Sequence, residues 1–181
     1  MLIAEKTTHL IPEQAKHPQM AKQKKISQKK QNIPLLALCL IVCLGIGSLG
    51  GIATASSVNT WYQTLNKPFF NPPNWLFAPV WTVLYLTIGF SLYLALESKA
   101  EKKALIYFSI QLALNFLWSI LFFGLKSPSL ALAGILALWL FIFLTIKEFS
   151  KKSKLAGKIL IPYLLWVSFA ALLNLSIVLL N

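Results

Sequence analysis

Five stretches of this 181-residue chain contain no charged side chain: residues 34–55, 77–96, 104–125, 130–146 and 159–180. A helix needs about 20 apolar residues to cross the hydrocarbon of a bilayer. The runs therefore predict an all-α, polytopic membrane protein, a five-transmembrane-helix bundle occupying residues 34–181. Hydrophobic residues make up 57% of the chain and charged residues 12%, where a soluble domain carries about 25% charged. The run at 130–146 is the shortest, and the placement of charge supports it.

All basic residues are lysine, and they cluster. The segment before the first run holds Lys6, Lys16, Lys22, Lys24, Lys25, Lys29 and Lys30. The next inter-run segment has only Lys67; the one after has Lys99, Lys102 and Lys103. Then come Lys126 alone and finally Lys147, Lys151, Lys152, Lys154 and Lys158. Heavy and light segments alternate without exception, so the positive-inside rule places the N-terminus inside and the C-terminus outside. A bacterial cytoplasmic membrane fits this asymmetry. Residues 1–33 read as a lysine-rich, disordered cytoplasmic tail attracted to anionic lipid. Nucleic-acid binding is not expected from the net charge of +12, because such binding needs a basic patch on a folded face. Ala53-Thr54-Ala55 resembles a signal-peptidase site, but the run before it exceeds an ordinary h-region, and we read it as a span. Gly47, Gly51 and Ala55 there form a small-residue stripe that predicts close approach of another helix. Cys39 and Cys43 read as small core residues.

What the runs lack narrows function. Coupled transporters place ionisable residues within their spans, and these runs contain none. They carry no nucleophilic triad, carboxylate pair or metal-ligand spacing. No metal and no required cofactor is expected, and conventional acid–base catalysis has no obvious agent.

The polar and aromatic residues fall on stripes. Trp81 and Tyr85 share one face of the second span, Gln111, Asn115 and Trp118 one face of the third, and Trp166, Ala170 and Asn174 one face of the fifth. A rise of about 1.5 Å per residue puts Trp118 roughly 10–12 Å and Trp166 roughly 20 Å below the outer ends of their spans. Interface aromatics and helix-packing amides explain Trp61, Trp75, and in one reading Gln111 and Asn174. They explain Trp118 and Trp166 less well, because an indole N–H in hydrocarbon needs a partner. The other reading is an outward-opening pocket with aromatic walls for a planar apolar ligand. The proline-rich segment NKPFFNPPNW, residues 66–75, would be its stiff lid, and Pro79 suits the first turn of the next helix.

Three blocks carry a further signal: WYQTLNKPFFNPPNWLFAPVWTVLY, QLALNFLWSILFFG and PYLLWVSFAALLNLSIVLLN. They resemble the TspO/MBR family, the translocator or tryptophan-rich sensory proteins once called peripheral benzodiazepine receptors. With the spans between, the likeness covers about residues 34–181. It implies five helices around a pocket under the first loop, a homodimer, and binding of protoporphyrin IX or other tetrapyrroles, isoquinoline-type ligands or benzodiazepines. It implies that Trp81 and Trp166 can bond a ligand carbonyl and that Asn115, Trp118, Ala170 and Leu173 line the pocket. Tyr85 would stand in the wall, and Tyr62 and Pro72 in the lid. The animal sterol motif is broken here, with Leu175 and Leu179 at its tyrosine and basic positions. Ile106 and Ile110 stand where some members have small residues for dimer packing. We expect a receptor or sensor with regulatory output. The alternatives are a facilitated carrier of tetrapyrroles or lipids and a light-dependent porphyrin-degrading enzyme using Trp81 and Trp166.

Overall fold

The computed structural model of the protein describes residues 32–181. The expected tail lies outside the described residues as far as residue 31. Helix α1, Ile33–Val58, starts where the Asn32 side chain accepts the Leu35 N–H at 3.2 Å and Pro34 occupies the first turn, a position where its missing N–H costs nothing. A segment follows that holds the single-turn helix α2, Trp61–Thr64, and a 3-10 turn, Asn74–Leu76. That turn leads into α3, Phe77–Glu97. Helix α4, Lys102–Ser119, continues as a π-helical turn, Ile120–Gly124. Helix α5 is Pro128–Lys152, α6 is Lys154–Ile159 and α7 is Ile161–Leu180. Five of the resulting rods are long and apolar enough to span a membrane, as the charge-free runs predict.

Two boundaries differ from the sequence reading. The fourth span is not short. Helix α5 runs on through Lys147, Glu148 and Lys151 to Lys152, because backbone hydrogen bonding continues where hydropathy stops. The fifth span begins earlier, at Lys154, and is interrupted at Leu160. Ser153 Oγ caps the start of α6 by accepting the Ala156 N–H at 3.2 Å; Pro162 has no N–H to offer the ladder, so α6 closes and α7 begins anew.

The core forms where α3, α5 and α7 meet, around Ile88, Leu138, Ile142, Tyr163 and Val167, each at most 1% exposed. Phe108 stacks on Phe149 at 5.7 Å and joins α4 to α5. Ser91 Oγ donates to the Ala156 carbonyl at 2.8 Å, tying α3 to α6. Helix α1 is peripheral. Of its most apolar stretch 17% is buried, against 39% for the span that contains α3.

The α3–α4 turn closes through a helix stop normally built on glycine. Ala100 N–H donates to Ala95 O at 2.9 Å and Lys99 N–H to Leu96 O at 3.0 Å, with Lys99 left-handed at φ 54°. This is the Schellman pattern with lysine at the glycine position. A Cβ there costs about 1–2 kcal/mol, and glycine's extra unfolded-state entropy offsets part of it. Lys99→Gly should therefore stabilise the bundle by about 0.5 kcal/mol. Thermal unfolding in detergent reads this, and a lowered midpoint would contradict it.

Candidate functional site

A cavity of about 420 Å³ lies among α1, α3, α4 and α7 at the end of the bundle that carries residues 59–76. Ligand pockets run from about 300 to 1,000 Å³. The cavity exists because of how α1 meets α3. At Gly89 the two backbones touch, so that a Cβ would stand 3.0 Å from Cys39 O and from Leu40 Cα. Two turns along, Gly47 has room only because it lacks a side chain, since a Cβ there would overlap the Tyr85 ring. One turn further, a Cβ on Gly51 would meet nothing within 4 Å. The small-residue stripe thus admits a tyrosine ring and then open space, rather than the helix approach its spacing suggests. The exposed lining residues are Ser48, Gly51 and Ala55 on α1 and Ala78 and Thr82 on α3, so the cavity opens between those two helices.

Of the residues singled out in the sequence, Tyr62, Trp81, Tyr85, Asn115, Trp118, Trp166, Ala170 and Leu173 all line this cavity. Pro72 does not. The first loop reaches the cavity through Tyr62 and Asn74, while the Pro72 carbonyl accepts from Asn71 Nδ2 at 3.1 Å. Trp61 is not a free interface anchor: it meets Phe122 edge-on at 5.7 Å. Trp75 is 71% exposed.

The loop is held at several points. Tyr62 O–H donates to Asn71 Oδ1 at 2.6 Å. Burial pushes this hydroxyl up to about 12, against the opposing pull of the Asn71 bond. Lys67 Nζ donates to the carbonyls of Tyr62 at 2.8 Å and Leu65 at 3.0 Å. Asn66 and Asn181 bond reciprocally, N–H to Oδ1 at 3.0 Å and Nδ2 to the Asn66 carbonyl at 3.1 Å.

Sequence reasoning missed several wall residues. The π turn buries the consecutive Phe122 and Phe123 together, which ordinary helical spacing would turn to different sides. The Phe123 carbonyl, left without an intrahelical partner at the end of the helix, accepts from Ser57 Oγ at 2.8 Å. Tyr163, completely buried, packs edge-on against Trp81 at 6.3 Å. Its signal was a hydroxyl in an uncharged span, three residues before Trp166. Asn174 proves to be both amide reading and wall: it lines the cavity, accepts from Trp118 Nε1 at 3.2 Å and donates to the Pro128 carbonyl at 2.8 Å.

Four side-chain donors in the wall are left over among the described residues: the Trp81 and Trp166 indoles, Asn74 Nδ2 and Ser119 Oγ. Trp118 Nε1 is engaged by Asn174, and Trp139 Nε1 donates to Ser168 Oγ at 2.8 Å. The indole N–H groups of Trp81 and Trp166 have no hydrogen-bond acceptor among the described residues, and both rings line the cavity. Among the described residues no charged side chain lines it, and no group of three His, Cys, Asp or Glu could hold a metal ion. The arrangement suits a flat apolar ligand bearing hydrogen-bond acceptors.

The chain is similar over most of its length to several known proteins. The chain is 49% identical over 152 residues to a protein named tryptophan-rich protein TspO from Archaeoglobus fulgidus, covering 83% of this chain and 99% of that one. It is 35% identical over 139 residues to a tryptophan-rich sensory protein of Cereibacter sphaeroides, covering 75% and 88%. It is 35% identical over 147 residues to the translocator protein of Bos taurus, covering 78% and 86%. Residues 39–180 match the model of the TspO/MBR family; with five membrane-length helices as the frame, the chain is an integral, multi-pass membrane protein belonging to that family.

Proposed function

We propose that the protein is a membrane receptor or sensor that binds porphyrin-like tetrapyrroles, represented by protoporphyrin IX, and other flat apolar ligands, with a regulatory output. It would sit as a homodimer in a bacterial cytoplasmic membrane, N-terminus inside and C-terminus outside. The observation that carries the reading is the pair of unengaged indole donors, Trp81 and Trp166, on two different helices in an uncharged, largely apolar wall. In a low-dielectric site an unmade hydrogen bond is costly, so a ligand acceptor there completes the structure. The relatives' names, sensory and translocator, suit such a role.

Fluorescence titration with protoporphyrin IX in detergent tests it. Trp81→Phe and Trp166→Phe should each weaken binding about fivefold, the value of one neutral hydrogen bond at roughly 1 kcal/mol. Unchanged affinity in the double variant would place the ligand elsewhere. A second reading, a facilitated carrier, is favoured by the opening between α1 and α3, which would exchange ligand with lipid. Flux of protoporphyrin IX into sealed vesicles containing the protein separates the two.

A further inference from the structure

Behind the aromatic wall runs an unbranched chain of buried hydrogen bonds. Tyr85 O–H donates to Asn115 Oδ1. Asn115 Nδ2 donates to the Tyr163 oxygen at 2.7 Å, and Tyr163 O–H donates to Gln111 Oε1 at 3.0 Å. All four residues are buried, Gln111 to 1% exposure. The chain starts at the cavity, which Tyr85 and Asn115 line, and ends at Gln111, which does not line it. At that far end Gln111 Nε2 has no partner among the described residues.

We infer that Gln111 fixes the direction of this chain and thereby decides whether Tyr85 offers the bound ligand a hydrogen-bond donor; the inference rests on the cavity being the ligand site. An unpaired buried N–H is disfavoured more than an under-used carbonyl. The same side chains can be joined in the opposite sense by turning two amides and two hydroxyls. Gln111 Nε2 then donates to Tyr163, Tyr163 O–H to Asn115 Oδ1, and Asn115 Nδ2 to the Tyr85 oxygen. The number of internal bonds is the same, Gln111 gains a partner for its N–H, and Tyr85 O–H is released into the cavity. A ligand carbonyl or carboxylate that accepts from Tyr85 selects this second sense. A ligand without an acceptor leaves the first sense in place. Gln111 assists the reversal because its Nε2, unpartnered in the first sense, finds an acceptor only in the second. It is a specificity-determining positioning residue for acceptor-bearing flat ligands, acting through Tyr163.

The test uses the full-length protein and two probes of the same outline, 2-acetylnaphthalene and 2-ethylnaphthalene, each titrated by displacement of protoporphyrin IX. Trp81 and Trp166 also favour the ketone, so the readout is the change in the ketone-to-hydrocarbon affinity ratio with residue 111. Gln111→Met keeps the side chain's length and a weak acceptor but has no N–H to donate. The ratio should fall at least about threefold, less than one full neutral hydrogen bond. In the Tyr163→Phe background, where the chain is cut, Gln111→Met should leave the ratio unchanged. In the Tyr85→Phe background it should do the same. Gln111→Leu makes the same prediction if the methionine variant fails to fold. A ratio that does not fall, including equal weakening of both probes, overturns the inference and leaves the cavity reading standing. If neither probe displaces the porphyrin from the wild-type protein, the cavity reading fails and the inference with it.

Discussion

Gly51→Phe should abolish protoporphyrin IX binding while leaving the bundle as stable as before. Glycine at 51 lies on the α1 stripe with Gly47, Thr54 and Val58, all of which line the cavity at spacings of three and four residues. Such residues share one helical face. A side chain at 51 starts in open space, since its Cβ meets nothing within 4 Å. The benzyl group therefore enters the cavity without displacing backbone, and the helix gains a better former than glycine. It then occupies the volume between α1 and the Trp81 face that a flat ligand needs. Loss of at least about 100-fold in affinity, roughly 3 kcal/mol, is expected. Gly51→Ala adds one methyl to the same space and should cost far less. Titration beside thermal unfolding in the same detergent distinguishes a filled site from a damaged protein. Wild-type affinity in Gly51→Phe would mean that the ligand binds outside this cavity.

The five spans were legible because a bilayer leaves few choices. A charge-free run long enough to cross it must close its backbone bonds internally, and a helix does so. The bounds of α5 were less legible, since Lys147 to Lys152 continue the helix for reasons of backbone bonding rather than hydropathy. The aromatic wall was readable from the spacings of Trp81 with Tyr85, of Asn115 with Trp118 and of Trp166 with Ala170, which converge on one cavity. Phe122 and Phe123 were not, because a π turn alters the very period on which such readings rest. Glycine was read at the wrong place. The spacing of Gly47, Gly51 and Ala55 suggested helix contact, yet spacing does not say whether the opposite surface is a backbone, a ring or a void. The α1–α3 backbone contact instead uses a glycine of α3, Gly89, which meets α1 at Cys39 and Leu40.

That contact carries the largest expected stability effect. Gly89 is buried, and a Cβ there would stand 3.0 Å from Cys39 O, 3.0 Å from Leu40 Cα and 3.1 Å from Leu40 Cδ2. Two of these three atoms belong to the backbone of α1 and cannot move without the helix. Overpacking at such a point costs typically 1–3 kcal/mol. Gly89→Ala should lose about 1 kcal/mol and Gly89→Val, with two further methyl groups against the same backbone, about 3 kcal/mol. Helix propensity cannot explain a loss, since alanine is the better helix former. Gly45→Ala on the neighbouring face of α1 is the control, because its Cβ meets nothing within 4 Å and the change should be neutral or slightly stabilising. Unfolding midpoints in one detergent rank the three variants, and a Gly89→Val protein that melts with the wild type would show that α1 and α3 are not held in backbone contact. The consequence reaches the cavity. Close contact at Gly89 lets α1 and α3 meet tightly at one end and part at the other, so prising them apart there should also disturb the placement of Tyr85 against Gly47. Weaker porphyrin binding should therefore accompany the lost stability in Gly89→Val, although residue 89 lines no part of the cavity.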